Sequence, residues 1–245
     1  MDRRNFLKNA GLALATITTT SIPDLYFSEL SKLSPFPFTR VKYASGNWDV
    51  DPELASVFYD FIQKHSPLRT ESKEYEISLD SKELLAMPFA FITGNHEFSL
   101  NNREREVFRQ FVYEGGFVFV DDCNHDTKGS FAVSFEAEMK KTFGSDHPLE
   151  ILETDSEIYH SYFRFPEGPP TTAQELNGWG DKTVHNYLKA IKIDGNIGVL
   201  YSNKDFGCEW TDSQVSASQI QFAVNLAVYP VNRKLNRKVD FPQKT

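Results

Sequence analysis

The sequence predicts an α/β fold built on an open, mostly parallel sheet with helices on both faces, of the flavodoxin-like kind. Two wholly apolar segments, residues 89–92 and 117–120, are typical of strands that are buried on both faces. The segment between them has apolar residues at helical spacing. The order strand, helix, strand indicates two parallel strands joined by a crossover helix.

The first elements follow from local patterns. Phe38, Val41 and Tyr43 predict a first strand, which Ser45-Gly46-Asn47 ends. Asp51-Pro52 then opens a helix with an amphipathic stripe. Residues 76–79 are expected to form a short edge strand, and residues 81–87 a short helix that Pro88 ends.

The later elements are predicted in the same way. Asn101 and Glu104 have the spacing of a capping box, and Gly115-Gly116 closes the helix that they begin. A helix at 134–143, a short strand at 149–152, a hairpin of 189–193 with 197–201, and a last helix at 219–228 complete the order. Residues 163–182 are rich in proline and glycine and predict a long loop of the kind that often serves as a lid or binding loop.

The N-terminus has the pattern of a twin-arginine export signal. Arg3 and Arg4 precede Phe6-Leu7-Lys8, and a mildly apolar, uncharged stretch follows. That stretch is too short for a membrane span, so we expect a protein that is periplasmic or otherwise exported by the twin-arginine route. The sequence leaves open whether the signal is cleaved or stays as an anchor, and no other segment is apolar enough to span a membrane. The predicted organisation is a signal at 1–22, a linker at 23–37, one α/β domain at 38–231 and a basic tail at 232–245.

The charge of the chain limits the classes of partner that it could bind. The chain is acidic, with a formal net charge of -8, and it lacks the clustered basic residues that bind the phosphates of nucleic acids. We therefore expect no nucleic-acid binding. The basic cluster near the C-terminus (Arg233, Lys234, Arg237 and Lys238) is expected to be a solvated tail or helix face. We expect the partner to be a cell-envelope protein, a glycan or a small molecule.

Polar side chains follow several predicted strands at the point where each strand ends. Parallel strands deliver their carboxyl ends to one edge of the sheet, where ligands bind, so these side chains are expected to converge. The ligand-binding candidates are Asn47, Trp48, Asn95, His96, Asp122, Asp205 and Trp210. The catalytic candidates are His96, Asp121, Asp122, Cys123, His160 and Cys208.

Two chemistries fit these residues. Histidine and carboxylate side chains could bind a metal that activates water. The ligands would be His96, Asp122 and His125, with Asp121 and His160 as alternatives to the last two, but their spacing matches no compact metal motif and we expect no metal. Alternatively, Cys123 or Cys208 could act as a nucleophile with His96 or His160 as its base. The flanking residues lack the small side chains that a nucleophile turn needs.

The two cysteines leave a third alternative open. Both follow predicted strand ends, so Cys123 and Cys208 could form a disulfide in an oxidising compartment. A twin-arginine substrate folds before export, so such a bond would form late.

Four motifs together resemble a known family. They are Thr93-Gly94-Asn95-His96, Gly115-Gly116-Phe117 through Asp121-Asp122-Cys123, His160-Ser161-Tyr162, and Tyr201-Ser202 through Asp205-Phe206-Gly207-Cys208-Glu209-Trp210. From Phe38 to about Val231 the chain resembles the bacterial domain of unknown function 4159 family, which implies a fold similar to class I glutamine amidotransferases. The resemblance implies no reaction, and the chain lacks the Gly-x-Cys-x-Gly elbow of those enzymes.

The sequence therefore predicts an exported α/β domain of the cell envelope that binds a ligand or partner at the strand-end edge. The alternative is a hydrolase that uses the same Asp, His and Cys residues, with or without a metal. The sequence requires no cofactor.

Overall fold

The computed structural model describes residues 34–234. The strands are β1 (Thr39–Lys42), β2 (Tyr75–Ser78), β3 (Phe89–Gly94), β4 (Phe117–Asp122), β5 (Glu150–Ile151), β6 (Lys189–Ile193) and β7 (Asn196–Ser202). The helices are α1 (Leu54–His65), α2 (Asn102–Tyr113), α3 (Ser130–Phe143), α4 (Ala173–Leu176), α5 (Phe206–Thr211) and α6 (Ala217–Lys234), with 3-10 turns at Lys82–Ala86 and Glu157–His160.

The strands form one seven-stranded sheet in the order β2-β1-β3-β4-β7-β6-β5. The first five of these are parallel, and β6 and β5 extend one edge by antiparallel pairing. The predicted open α/β fold is confirmed, as is the late hairpin, which is β6 and β7. The parallel strands follow the flavodoxin-like order, in which the direction of winding reverses between β1 and β3.

The two central strands are buried on both faces, as their apolar sequences predict. Along β3, Phe89 and Phe91 belong to the core on one side of the sheet, whereas Ala90 and Ile92 belong to the core on the other. Strand β4 divides its side chains in the same way. Helices α1, α5 and α6 cover the phenylalanine-rich face, and α2 and α3 cover the aliphatic face.

The capping box predicted for α2 is present. The Asn101 side chain accepts hydrogen bonds from the N–H groups of Arg103 and Glu104, and the Glu104 carboxylate accepts from the Asn101 N–H. Glu104 is buried and its other oxygen accepts from the N–H of Ala44 at 2.8 Å. The cap therefore also fixes the chain where it leaves β1.

The ordered core extends beyond the predicted limits of the domain. Phe36, which the sequence assigns to the linker, is 1% exposed, packs on Phe58 and Phe89 and forms a bridge with Thr70. Helix α6 continues to Lys234, into the segment assigned to the tail. Phe36 extends the apolar core, whereas beyond Val231 the helix is held by polar contacts, such as that of Arg233 with Ile197 O at 2.8 Å.

Two further elements differ from the sequence prediction. Helix α3 begins at Ser130 rather than at 134, and the loop at 163–182 contains the short helix α4. The predicted signal at 1–22, most of the linker, and Arg237 and Lys238 lie outside the described residues. Among the residues that are described, no helix has both the length and the apolar character of a membrane span.

Candidate functional site

Side chains from three segments meet at the carboxyl edge of the parallel strands. Asp51 lies in the loop after β1, and Cys123 comes directly after β4. Cys208 lies in α5, just past the end of β7. These positions are far apart in sequence, so the sheet brings them together.

Two thiols and three carboxyls form one group, the thiol–carboxylate cluster, consisting of Asp51, Asp121, Cys123, Asp205 and Cys208. The two Sγ atoms are 3.8 Å apart, and both cysteines are free thiols. The Cys208 thiol also donates to Asp51 Oδ1 at 3.7 Å. The Asp205 carboxyl lies near both thiols, which lower its pKa.

The backbone of the cluster is held in unusual conformations. Asp205 occupies the N-cap position of α5 with φ 57° and ψ 51°, and its side chain makes no cap hydrogen bond. Asp51 has φ 58°. Left-handed conformations cost non-glycine residues on the order of 1 kcal/mol, so the surrounding contacts hold both carboxyls in place.

Arg40 supplies part of that support. Its guanidinium is 2% exposed and donates to the carbonyl oxygens of Val50 and Asp51 at 3.0 Å each. It also pairs with Glu74 at 3.0 Å. Arg40 therefore fixes the loop that carries Asp51, and its positive charge lies beside the cluster.

Burial controls the electrostatics of the cluster. Burial is the main cause that raises the pKa of Asp205 to about 6; the nearby thiols oppose this rise and the Asp51 charge adds to it. Burial also raises the pKa of Asp51, whereas the hydrogen bond from Cys208 and the positive charge of Arg40 lower it. The pKa of Cys208 is raised, first by its contact with Cys123 and then by burial and the charge of Asp205. A cysteine so placed is a poor nucleophile.

Asp121 and Asp122 end β4 and have different partners. Asp121 is 1% exposed, and its Oδ2 accepts from the Gly207 N–H at 2.8 Å, which fixes the start of α5. Asp122 accepts from the N–H of Asn124 at 3.0 Å and from the Tyr201 hydroxyl at 3.4 Å. Burial raises the pKa of Asp121, and it raises the pKa of Asp122 to about 7.

A row of amide side chains joins the loops at the switch point between β1 and β3. We call Asn47, Asn95 and Asn124 the asparagine row. The Asn47 side chain bonds both the Asn95 side chain at 2.5 Å and the Asn95 N–H at 3.1 Å. The Asn124 side chain donates to the Asn95 carbonyl oxygen at 2.7 Å. The row therefore connects the exits of β1, β3 and β4.

The aromatic and imidazole candidates separate into two environments. Trp48 is half-buried, with the Lys42 ammonium 5.4 Å from its ring centre, and His96 is exposed. Trp210, by contrast, is 1% exposed, and its indole N–H donates to Gln219 O within the core. The structure thus places Trp48 and His96 at the edge of the sheet and Trp210 beneath it, out of reach of a ligand.

His125 lies close to the strand ends but its ring nitrogens are occupied. Nδ1 lies 2.6 Å from Asn203 O and Nε2 lies 2.9 Å from Thr183 O. Nε2 also lies 3.6 Å from a carboxylate oxygen of Asp181, which binds His185 at 2.9 Å. Because a backbone carbonyl oxygen lies against each ring nitrogen, His125 holds the loop rather than joining His96 and Asp122 around a metal.

His160 does not join the other candidates. Its Nε2 lies 3.1 Å from Thr154 O, before the 3-10 turn that packs beside α6. Among the described residues, neither His160 nor His96 makes a hydrogen bond to Cys123 or Cys208. The cysteine nucleophile with an imidazole base is therefore not assembled in this structure.

The sequence reasoning missed a buried ion pair beside the site. Lys204 and Glu175 have no exposed side-chain surface and are 2.6 Å apart. The Lys204 ammonium also donates to the His185 carbonyl oxygen, and Glu175 accepts from the N–H groups of Thr172 and His185. This pair ties the predicted lid segment to the exit of β7.

The missed residues give little local signal. Lys204 and Glu175 look like ordinary solvent-facing charges in sequence, and Asp51 looks like the start of a helix. Only the position of Asp51 could have identified it, because Asp51 follows a predicted strand, as the other candidates do.

One family model matches most of the chain. The model of the family described as Domain of unknown function (DUF4159) matches residues 37–231. A search of curated proteins finds no match.

Proposed function

The chain belongs to the DUF4159 family, and from that premise we propose that it is an exported α/β domain of the cell envelope that binds a polar, hydroxyl-rich ligand such as a glycan. The ligand would lie in the crevice at the carboxyl ends of β1 and β3. The family description states no activity, so the proposal rests on the site. A fold of the class I glutamine amidotransferase kind is part of the proposal, supported by the strand order.

The asparagine row is the observation that supports this function most directly. It lies at the switch point of the sheet, which is where open α/β folds bind ligands. Amide side chains both donate and accept hydrogen bonds, so they can bind hydroxyl groups in either role. The hydrogen bonds among Asn47, Asn95 and Asn124 also hold these groups in fixed positions before a ligand arrives.

The rim of the crevice supports the same class of ligand. Trp48 directly follows Asn47 and is half-buried, and His96 is exposed directly after Asn95. An aromatic face next to a few fixed polar groups is the usual composition of a small-molecule site. Sugars, which combine apolar ring faces with hydroxyl groups, match that composition.

Binding is tested with an array of cell-envelope glycans, followed by calorimetric titration of any glycan that binds. We expect Asn95→Ala and Trp48→Ala each to weaken binding at least tenfold, because each removes a fixed contact worth about 1.4 kcal/mol or more. The matched control is Tyr113→Ala, which removes an exposed aromatic side chain at the end of α2, at the opposite edge of the sheet. Equal binding by all three variants would place the ligand elsewhere.

Export by the twin-arginine route is the second part of the proposal, supported by Arg3-Arg4 followed by Phe6-Leu7-Lys8. We expect the double variant Arg3→Lys, Arg4→Lys to stay inside the cell, because the translocation receptor reads the arginine pair. Cell fractionation measures the exported share. A Lys8→Arg variant, which keeps the pair and the charge, serves as the control. Undiminished export of the double variant would contradict the route.

A hydrolase is the second candidate, and the thiol–carboxylate cluster is the observation that favours it. Buried carboxyls with raised pKa values can act as general acids or bases. A hydrolytic screen separates the two functions: turnover that Asp205→Asn abolishes and Asn95→Ala leaves unchanged would favour the hydrolase.

A further inference from the structure

The thiol–carboxylate cluster has the dimensions of a metal site. Asp51, Cys123 and Cys208 each place one ligand atom within 4.8 Å of the other two. Cysteine sulfur and aspartate oxygen are ordinary zinc ligands. None of these three residues belongs to the asparagine row, although Cys123 directly precedes Asn124, so the observation concerns a second set of side chains at the same edge of the sheet.

The interatomic distances match tetrahedral zinc geometry. With Zn–S bonds of about 2.3 Å, two sulfur ligands of a tetrahedral ion lie roughly 3.8 Å apart. The Sγ atoms of Cys123 and Cys208 are 3.8 Å apart. With a Zn–O bond of about 2.0 Å, sulfur and oxygen ligands lie roughly 3.5 Å apart, and Cys208 Sγ lies 3.7 Å from Asp51 Oδ1.

Unpartnered buried oxygens supply an independent observation. Asp205 is 2% exposed and Asp121 is 1% exposed, yet Oδ1 of each has no hydrogen-bond partner among the described residues. Buried carboxylate oxygens are normally paired, because desolvation without a partner is costly. Asp205 also uses its N-cap position without capping the helix, and it turns its carboxyl towards both thiols.

Charge gives the same result. Three carboxyls and two thiols lie close together, with Arg40 beside Asp51 and with Lys204, which is already paired with Glu175, near Asp121. Their negative forms repel one another unless protons or a cation intervene. A divalent cation would neutralise two of those charges and would satisfy oxygens that otherwise lack partners.

We propose that Asp51, Cys123 and Cys208 bind a zinc-class divalent cation, with Asp205 as the source of a fourth oxygen ligand. Arg40 is the positioning residue that fixes the Asp51 loop. Binding would release the thiol protons as the sulfur–metal bonds form. Acquisition of the ion before export, where thiols stay reduced, agrees with the proposed twin-arginine route.

The test is titration of the exported, full-length protein with Cd²⁺ as a spectroscopic probe for zinc. We expect one equivalent to bind, with the ultraviolet absorption of cadmium–thiolate bonds, and Zn²⁺ to compete. Cys208→Ser should abolish that absorption. Asp51→Asn, which keeps the side-chain shape, should weaken binding at least tenfold. Asp49→Asn, an exposed change in the same loop, should leave binding unchanged.

Several results would overturn the site. The first is a protein with two titratable thiols that does not bind Cd²⁺, and the second is Cd²⁺ binding that survives Cys208→Ser. The third is Cd²⁺ binding that His185→Gln abolishes, because that result would place the ion at the His125–Asp181–His185 group. An exported protein whose cysteines are joined as a disulfide would also exclude it. Circular dichroism of each variant separates loss of the site from loss of the fold. Because glycan binding is measured separately, failure of the metal site leaves the proposed function intact.

Discussion

Replacement of Lys204 by methionine should lower the free energy of unfolding by about 3–5 kcal/mol. The change leaves Glu175 buried without its cation, at a position where neither side chain has exposed surface. Uncompensated burial of a charge is among the costliest effects of a single substitution.

Urea unfolding followed by circular dichroism measures this effect. The matched control is Lys64→Met, which removes a lysine that pairs with Asp60 at 2.8 Å on the exposed surface of α1. An exposed pair of this kind contributes about 0.5 kcal/mol or less. A loss of similar size in both variants would mean that the Lys204 pair is not buried in solution.

A double variant isolates the cause. Lys204→Met combined with Glu175→Leu removes both charges, so it should recover part of the stability lost in the single variant. Some loss would remain, because Glu175 also accepts from the N–H groups of Thr172 and His185. If the double variant were no more stable than the single one, an unpaired Glu175 charge could not explain the loss.

Replacement of Trp210 by alanine should cost about 3–5 kcal/mol of stability, as truncation of a buried aromatic side chain does. The indole packs against Phe58, Phe119 and Phe206, with ring centres 5.7, 6.0 and 5.2 Å away. Its N–H donates to Gln219 O, so a buried acceptor also loses its partner. Urea unfolding measures the loss.

Trp48→Ala provides the comparison, since this side chain is half-buried and its cation–π contact with Lys42 is worth about 1 kcal/mol or less. We expect it to affect ligand binding more than stability, the reverse of Trp210→Ala. A stable, correctly folded Trp210→Ala protein with impaired ligand binding would instead restore Trp210 to the binding site.

The sheet could be predicted from sequence because its signals are local. The apolar runs that became β3 and β4, and the capping box of Asn101 and Glu104, reflect constraints within a few residues. The expectation that polar residues gather at strand ends also came from a general property of parallel sheets. From that property, Asn47, Asn95 and Cys123 could be assigned correctly to the carboxyl edge of the sheet.

The role of each side chain at that edge could not be predicted in this way. Trp210 and Trp48 look alike in sequence, yet Trp210 is enclosed in the core, whereas Trp48 is only half-buried and packs against the outside of the core after β1. His125 looks like a metal ligand until the structure shows carbonyl oxygens against both ring nitrogens. These roles depend on partners from other segments, which no local pattern encodes.

By itself, the sequence determined the α/β class, the order of the main elements and the edge at which polar groups gather, because propensity, capping and hydrophobic periodicity act over short distances. Only the tertiary structure decided that Asp51 completes a cluster with Cys123 and Cys208, and that Lys204 neutralises Glu175. Those pairings join residues distant in the chain, and burial and electrostatics act on separation in space.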